Sequence, residues 1–202
     1  LLPFVPESRV WFEKKKNGTL KRPSFGELFK PGLLKTTLAT TILSACGYAA
    51  AFGALQLTPI QIAPGLPDIA QKRSDIEAKE KDAKTPEEKK EIGALKKELA
   101  KEVQDRRGNI QRWQEIGGLT GRILFALLVL FVPSRVLIRL FLIPGIALFP
   151  LTYLELVKGE YVLFATAIFF CGLLTVAQFS FVSEFLPRVF PMHLRGTGGS
   201  FA

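Results

Sequence analysis

Residues 161–185 read YVLFATAIFFCGLLTVAQFSFVSEF, and this stretch decides the fold because it carries no charge before Glu184. A helix needs about 20 consecutive apolar residues to cross the hydrocarbon core of a bilayer. Three further apolar blocks approach that length, at residues 33–58, 116–132 and 136–156. We therefore predict an all-α membrane protein with about four transmembrane helices and the start of a fifth.

The rest of the composition argues against several classes of site. The formal net charge of +9 comes largely from segments that flank the apolar blocks, as a membrane topology predicts, so nucleic acid is not an expected partner. Cys46 and Cys171 lie inside apolar blocks and His193 is the only histidine, so we predict no disulfide, metal site or cofactor. No nucleophile elbow, phosphate loop or pair of catalytic carboxylates occurs, so we do not expect an enzyme.

The first apolar block, residues 33–58, is rich in small residues. Small residues let helices approach closely in lipid, and Gly47 with Ala51 forms one small-xxx-small pair. We therefore expect this helix to pack within a bundle. We expect it to end at the prolines that follow, which are Pro59, Pro64 and Pro67.

A long charged insertion, residues 59–115, follows the first block. Residues 68–112 hold thirteen Lys or Arg against eleven Asp or Glu. Thr85, Pro86 and Glu88 have the pattern of a helix start, with a capping threonine and a glutamate three residues later. An apolar stripe at helical spacing then comprises Ile92, Leu95, Leu99 and Val103. We predict a helical hairpin outside the membrane, which is either a spacer or lid without chemistry or a docking surface for a partner.

The orientation follows from the basic loops. Lys and Arg are in excess in segments 1–32, 133–135 and 186–196, and such an excess marks the cytoplasmic side. We therefore place both chain ends in the cytoplasm and expect a multi-pass protein of the plasma membrane. The predicted order is a cytoplasmic loop (1–32), a transmembrane helix (33–58), the extracytoplasmic hairpin (59–115), three transmembrane helices (116–132, 136–156 and 161–185), and a cytoplasmic loop with the start of the next helix (186–202).

Polar residues recur within the first and fourth apolar blocks. Thr37, Thr41, Ser44 and Tyr48 follow one another at steps of three or four residues, so they share one helix face. A polar face suits either a water-lined cavity or hydrogen bonds between helices. The candidate cavity residues are Thr41, Ser44, Tyr48, Gln56, Thr175 and Gln178.

Charged side chains at membrane depth are costly, so each is a candidate functional residue. Arg122 lies inside the second predicted transmembrane helix, where it either extends to the interface or pairs with another group. Glu184 stands four residues before Arg188 near the end of the fourth helix. That spacing fits a plain interfacial ion pair as well as a gate.

Three segments resemble the major facilitator superfamily, most closely its sugar porters and metabolite–proton symporters. Pro6-Glu7-Ser8-Arg9, followed by Trp11, resembles the segment after the sixth helix of those transporters. Gly117–Arg122 and the basic turn 135–139 resemble the glycine-rich helix and the turn between helices eight and nine. The likeness to the run between helices ten and eleven is carried by Glu184, Pro187, Pro191 and Arg195-Gly196-Thr197-Gly198.

The resemblance implies that the four predicted helices are helices seven to ten of a twelve-helix transporter. It further implies two six-helix halves with a substrate site between them, and proton-coupled or facilitated transport of a sugar or organic-acid-like metabolite by alternating access. We accordingly expect the N-terminal half to be missing, and the partners to be that half, the lipid bilayer, a small solute and H⁺. The implied gating and charge-network residues are Arg122, Arg135, Glu184, Arg188, Arg195, Gly196 and Gly198. The alternative is a non-transporting membrane scaffold that presents the hairpin to a partner protein.

The orientation is testable by cysteine labelling in a chain whose Cys46 and Cys171 are replaced by serine. A cysteine introduced at Lys90 should react with a membrane-impermeant maleimide from outside intact cells. A cysteine introduced at Lys15 should react only after the cells are permeabilised, because the positive-inside rule places that segment in the cytoplasm. The opposite labelling pattern would contradict the orientation.

Overall fold

The computed structural model describes residues 9–19 and 21–201, and within them the side chains of residues 12–19, 21–180, 186 and 188–201. The described residues form helices and no β-strand, which confirms the all-α prediction. The α-helices are α1 (Arg9–Lys16), α2 (Pro31–Tyr48), α3 (Pro67–Asp82), α4 (Pro86–Leu128), α5 (Ser134–Leu154), α6 (Tyr161–Phe185) and α7 (Arg195–Phe201). Short 3-10 turns lie at Phe25–Phe29, Ala63–Gly65, Leu156–Lys158, Leu186–Val189 and Met192–Leu194.

The chain folds as two compact units. One, the terminal unit, is made of residues 1–45 and 182–202, and the other, the central unit, is made of residues 46–181. The core of the terminal unit is formed by Leu28, Phe190 and Leu194. The core of the central unit is formed by Leu55, Ala63, Leu66, Ile69, Ile110, Phe164, Ile168 and Cys171.

Among the residues that the structure describes, three helical stretches are long and apolar enough to cross a membrane. They are Pro31–Asp82, Ser134–Lys158 and Tyr161–Ser180. Large apolar side chains stand exposed along them, with Val162 at 70% and Ile146 at 67% of full exposure. Apolar surface on this scale is uncommon on a soluble monomer but matches the environment of lipid chains. Length, composition and surface together therefore indicate a membrane-embedded protein.

The second predicted transmembrane helix, residues 116–132, is not a separate element. α4 runs without a break from Pro86 to Leu128, so the second arm of the hairpin and this apolar segment form one helix of 43 residues. At a rise of 1.5 Å per residue, residues 116–128 extend only about 20 Å, against about 30 Å for the hydrocarbon core. This segment is also interrupted by Arg122, and it is not among the three stretches that meet the length and apolarity of a membrane span.

The first apolar block continues as a helix beyond Pro59, where the sequence predicted an end. After α2 the backbone widens into π-helical turns over Ala49–Leu55 and Thr58–Ile62. Proline has no N–H to donate, and the hydroxyl of Thr58 instead donates to the Ala54 carbonyl at 2.7 Å. A threonine hydroxyl that satisfies a freed carbonyl is one of the ways in which membrane helices tolerate proline.

The charged insertion forms a helical hairpin of α3 and the N-terminal part of α4. Three ion pairs join the two arms in antiparallel register, namely Arg106–Asp68 at 2.8 Å, Lys72–Glu102 at 2.7 Å and Lys96–Glu80 at 2.6 Å. At the start of α4 the predicted capping box is present, with the Thr85 hydroxyl accepting from the Glu88 amide. Exposed ion pairs contribute only about 0.2–1 kcal/mol each. These pairs therefore determine which residues of the two arms face each other more than they stabilise the hairpin.

Glycines on α4 and α6 bring these two helices into backbone contact. A Cβ placed at Gly117 would overlap the carbonyl oxygen of Phe169, and one at Gly121 would overlap that of Leu173. A Cβ at Gly172 would in turn overlap the carbonyl oxygen of Gln114. The expected close packing of small residues thus occurs here, whereas nothing lies within 4 Å of a Cβ at Gly47.

This contact predicts opposite effects for two Gly→Ala substitutions on the same helix. Gly121→Ala should destabilise the protein by about 1–3 kcal/mol, because the added methyl group meets a backbone that has no side chain to move aside. The matched control is Gly108→Ala, where a Cβ meets open space and alanine should stabilise the helix by up to about 1 kcal/mol. Thermal unfolding in detergent compares the two variants, and equal midpoints would contradict the proposed contact.

Candidate functional site

A cavity of about 530 Å³ opens within the central unit, between the π-helical segment after α2 and helices α4 and α6. Its size is within the range of small-molecule sites. Three of the residues chosen from the sequence line it, namely Tyr48, Gln56 and Arg122. The other lining residues are Ala51, Phe52, Leu55, Gln114, Glu115, Gly118, Leu119, Val176 and Phe179.

Aromatic rings form one wall of the cavity. Tyr48 and Phe52 stack with their centroids 5.6 Å apart and their planes 16° from parallel. Phe179 of α6 lies 5.2 Å from the Tyr48 ring and 6.1 Å from the Phe52 ring. Tyr48 and Phe52 are each 52% exposed, so both rings retain free surface.

α4 supplies the polar wall. Glu115 and Arg122 are seven residues apart, which places them about two helical turns from each other on nearly the same face. Neither side chain has an ion-pair partner within the described part of the chain. Beside Glu115, the side-chain oxygen of Gln114 is buried without a hydrogen-bond partner. Glu115 and Arg122 are both exposed at the cavity, so their charged groups are open to a polar ligand.

The remaining cavity candidates do not line this cavity. Thr41 donates its hydroxyl to the Thr37 carbonyl at 2.9 Å, so it serves its own helix. Ser44 is buried, and its hydroxyl has no partner among the described residues. On α6, Thr175 is likewise buried with an unpartnered hydroxyl, and Gln178 is half-buried. The shared polar face of α2 is thus used partly for hydrogen bonds within the helix.

The predicted gating residues are distributed over several elements. The side chain of Glu184 lies outside the described side chains, as do residues 6–8 of the first motif. Arg135 and Arg188 are exposed, at the start of α5 and in the turn after α6. Arg195 begins α7, and its Nε donates to the Phe190 carbonyl at 3.5 Å. Of the two glycines predicted as gating residues, Gly196 faces open space, whereas a Cβ at Gly198 would stand 2.6 Å from the Phe190 ring.

The terminal unit contains a charge cluster that the sequence did not predict. Glu27 accepts from Lys21 Nζ at 2.6 Å through one oxygen, and its other oxygen lies 3.2 Å from His193 Nε2. The hydrogen bond from Lys21 lowers the pKa of Glu27 below its ordinary value of 4.5. The next residue, Leu28, accepts a 2.8 Å hydrogen bond from the Thr37 hydroxyl. This cluster joins segments 166 residues apart in sequence, so no local pattern could have indicated it.

Comparison with protein-family models, curated proteins and solved structures returned no match for this chain. The described residues contain no group of His, Cys, Asp and Glu side chains that could hold a metal ion. The candidate site is therefore described only from the positions and contacts of the residues that line the cavity.

The charge cluster predicts a pH-dependent effect of Glu27→Gln. Because folding lowers this pKa, the carboxylate stabilises the terminal unit above pH 4.5, and its contribution is lost as the pH falls below 4.5. At pH 7 the substitution should speed amide hydrogen exchange in residues 28–37 and 190–198. At a pH well below the lowered pKa of Glu27, where the parent carboxyl is protonated, the variant and the parent should exchange alike.

The matched control is Glu13→Gln, which removes an exposed carboxylate from the same unit. It should leave hydrogen exchange unchanged at both pH values. Faster exchange in Glu27→Gln at low pH as well would show that the cluster acts through packing rather than charge.

Proposed function

We propose that this chain belongs to a secondary transporter of small organic solutes. The observation that carries the proposal is the cavity in the central unit, where one wall bears Glu115, Arg122 and Gln114 and the other bears aromatic rings. Charged side chains that face a cavity beside membrane-spanning helices are typical of solute and ion pathways. Unoccupied polar groups in such a place are costly unless a ligand or water uses them.

The irregular backbone beside the cavity supports the same proposal. The π-helical turns Ala49–Leu55 carry Phe52 and follow directly on Tyr48. In membranes, non-standard helical backbone is tolerated where it lines a cavity or is buried in protein, and π-turns often occur at functional sites. The resemblance of three segments to major facilitator transporters, most specifically of Glu184, Pro187, Pro191 and Arg195-Gly196-Thr197-Gly198, adds proton coupling, a fold of twelve helices and a plasma-membrane location to the proposal.

In this proposal α4 provides a fourth membrane crossing with its C-terminal part. Residues 129–133, between α4 and α5, add length to the short apolar end of α4, and Leu130 and Phe131 are 72% and 82% exposed. Such exposed side chains are suited to lipid at the end of a crossing. The small-residue contact with α6 would then hold this polar helix within the bundle.

A second candidate function rests on the hairpin. One side of it forms a cavity of about 520 Å³ lined by residues of both arms, including Ile76, Leu99 and Val103. Arg107 also lines this surface, and its Nε is buried without a hydrogen-bond partner. These features favour a scaffold that presents the hairpin to a partner protein.

Uptake into proteoliposomes tests the transporter proposal against the scaffold. The full-length protein that carries this sequence is reconstituted, and uptake of labelled sugars, organic acids and amino acids is measured with an inward proton gradient. At least one solute should accumulate above protein-free vesicles, and a protonophore should abolish its accumulation. Uptake no faster than in protein-free vesicles for every class of solute would contradict the proposal.

A hairpin variant provides the discriminating control. Residues 77–98, which include Glu77, Glu80 and Lys96 of the hairpin cavity, are replaced by a short Gly-Ser linker. The cavity between α2, α4 and α6 keeps all of its lining residues. A transporter should keep at least about half of its uptake, since long surface insertions are tolerated thermodynamically. A scaffold should instead lose its partner in a pull-down from solubilised membranes, with no uptake to lose.

A further inference from the structure

The charge pattern of the cavity selects among possible solutes. Glu115 and Arg122 face the cavity about 10 Å apart along the axis of α4. Direct ion pairs on a helix form between residues three or four apart, so a separation of seven leaves these two charges to an outside partner. A solute with a single charge would form an ion pair with one of these side chains and leave the other without an oppositely charged partner. A sugar would leave both unpaired, whereas a zwitterion satisfies both.

Arg122 determines the anionic end of the solute. A guanidinium binds a carboxylate through two parallel N–H···O bonds, which is the strongest common arrangement of a charge-assisted hydrogen bond. The other charged side chain at the cavity is that of Glu115. Its carboxylate accepts hydrogen bonds, and an ammonium group has only donors to give.

The aromatic wall determines the body of the solute. Tyr48, Phe52 and Phe179 form a continuous group with centroid distances of 5.2 to 6.1 Å. Rings at these distances leave edges and faces on which a further ring packs in an offset or edge-to-face arrangement. A small aliphatic solute would leave this surface unused.

We propose that the cavity binds an amino-acid-like zwitterion with an aromatic side chain. Its carboxylate binds Arg122, its ammonium group binds Glu115, and its ring packs against Tyr48, Phe52 and Phe179. This inference rests on the proposed function, since it names the class of solute for the same cavity.

Binding of radiolabelled L-phenylalanine to the full-length protein that carries this sequence, in phosphatidylcholine nanodiscs, tests the inference. The competitors are 3-phenylpropionate, which lacks the ammonium group, phenethylamine, which lacks the carboxylate, L-alanine, which lacks the ring, and glucose. Unlabelled L-phenylalanine should compete at least tenfold better than any of these. Equal competition by phenethylamine would overturn the role of Arg122, and better competition by glucose would overturn the inference as a whole.

Substitutions assign each end of the solute. Arg122→Gln should weaken L-phenylalanine binding at least tenfold and abolish its advantage over phenethylamine, and Arg122→Lys should restore part of it. Glu115→Gln should abolish the advantage over 3-phenylpropionate. The matched controls are Arg112→Gln and Glu91→Gln, two exposed positions of α4 outside the cavity, which should bind as the parent does. Loss of binding in these controls, or normal binding in Arg122→Gln, would refute the assignment.

The experiments distinguish a failure of the transporter proposal from a failure of the zwitterion site. Binding is measured without transport, so binding without uptake would contradict the transporter and leave the zwitterion site in place. Uptake of a solute other than an aromatic zwitterion, without L-phenylalanine binding, would leave the transporter and remove the site.

Discussion

The backbone contact between α4 and α6 is the constraint on which the central unit depends. Gly117 and Gly121 on one helix and Gly172 on the other leave no room for a Cβ, so the two backbones touch directly. Helices in lipid gain nothing from burying apolar side chains against each other, and close van der Waals packing is what holds them together. The contact also positions the cavity, because Gln114, Glu115 and Arg122 lie within three residues of Gly117 or Gly121 on α4, and Phe179 lies about two turns after Gly172 on α6.

Features with a local cause were predictable from the sequence. The apolar block 161–185 forms α6, and Thr85, Pro86 and Glu88 form the capping box that starts the long helix. Each depends on residues within a few positions of one another, where helical geometry alone decides which groups meet. Tyr48 and Gln56, two of the six candidate cavity residues, line one cavity together with Arg122, which the sequence analysis named as a charge-network residue.

Features that depend on distant contacts were not predictable. The apolar block 116–132 predicted a helix separate from the hairpin, yet α4 is continuous, and Gly117, Gly118 and Gly121 within it pack against α6. Pro59 predicted a helix end, and the hydroxyl of the preceding Thr58 offsets its missing donor. Glu115 was overlooked because it stands at the end of a charged insertion, where one more carboxylate carries no signal. Its position on the same face of α4 as Arg122, two turns away, became evident only because α4 is one helix.

The continuity of α4 links the two parts of the protein that the sequence had separated. Residues 96–106 of this helix hold the ion pairs of the hairpin, and residues 114–122 line the cavity. An uninterrupted helix has no proline, π-turn or loop between these two regions to absorb a rotation, so they move as one body. The irregular backbone beside the cavity is instead the π-helical segment after α2, which carries Phe52 of the aromatic wall. The cavity therefore has a charged wall on one regular helix, α4, and an aromatic wall to which α2, the π-helical segment and α6 contribute one ring each. This division is suited to a site in which one helix holds the charges of a solute while its ring packs against the other elements.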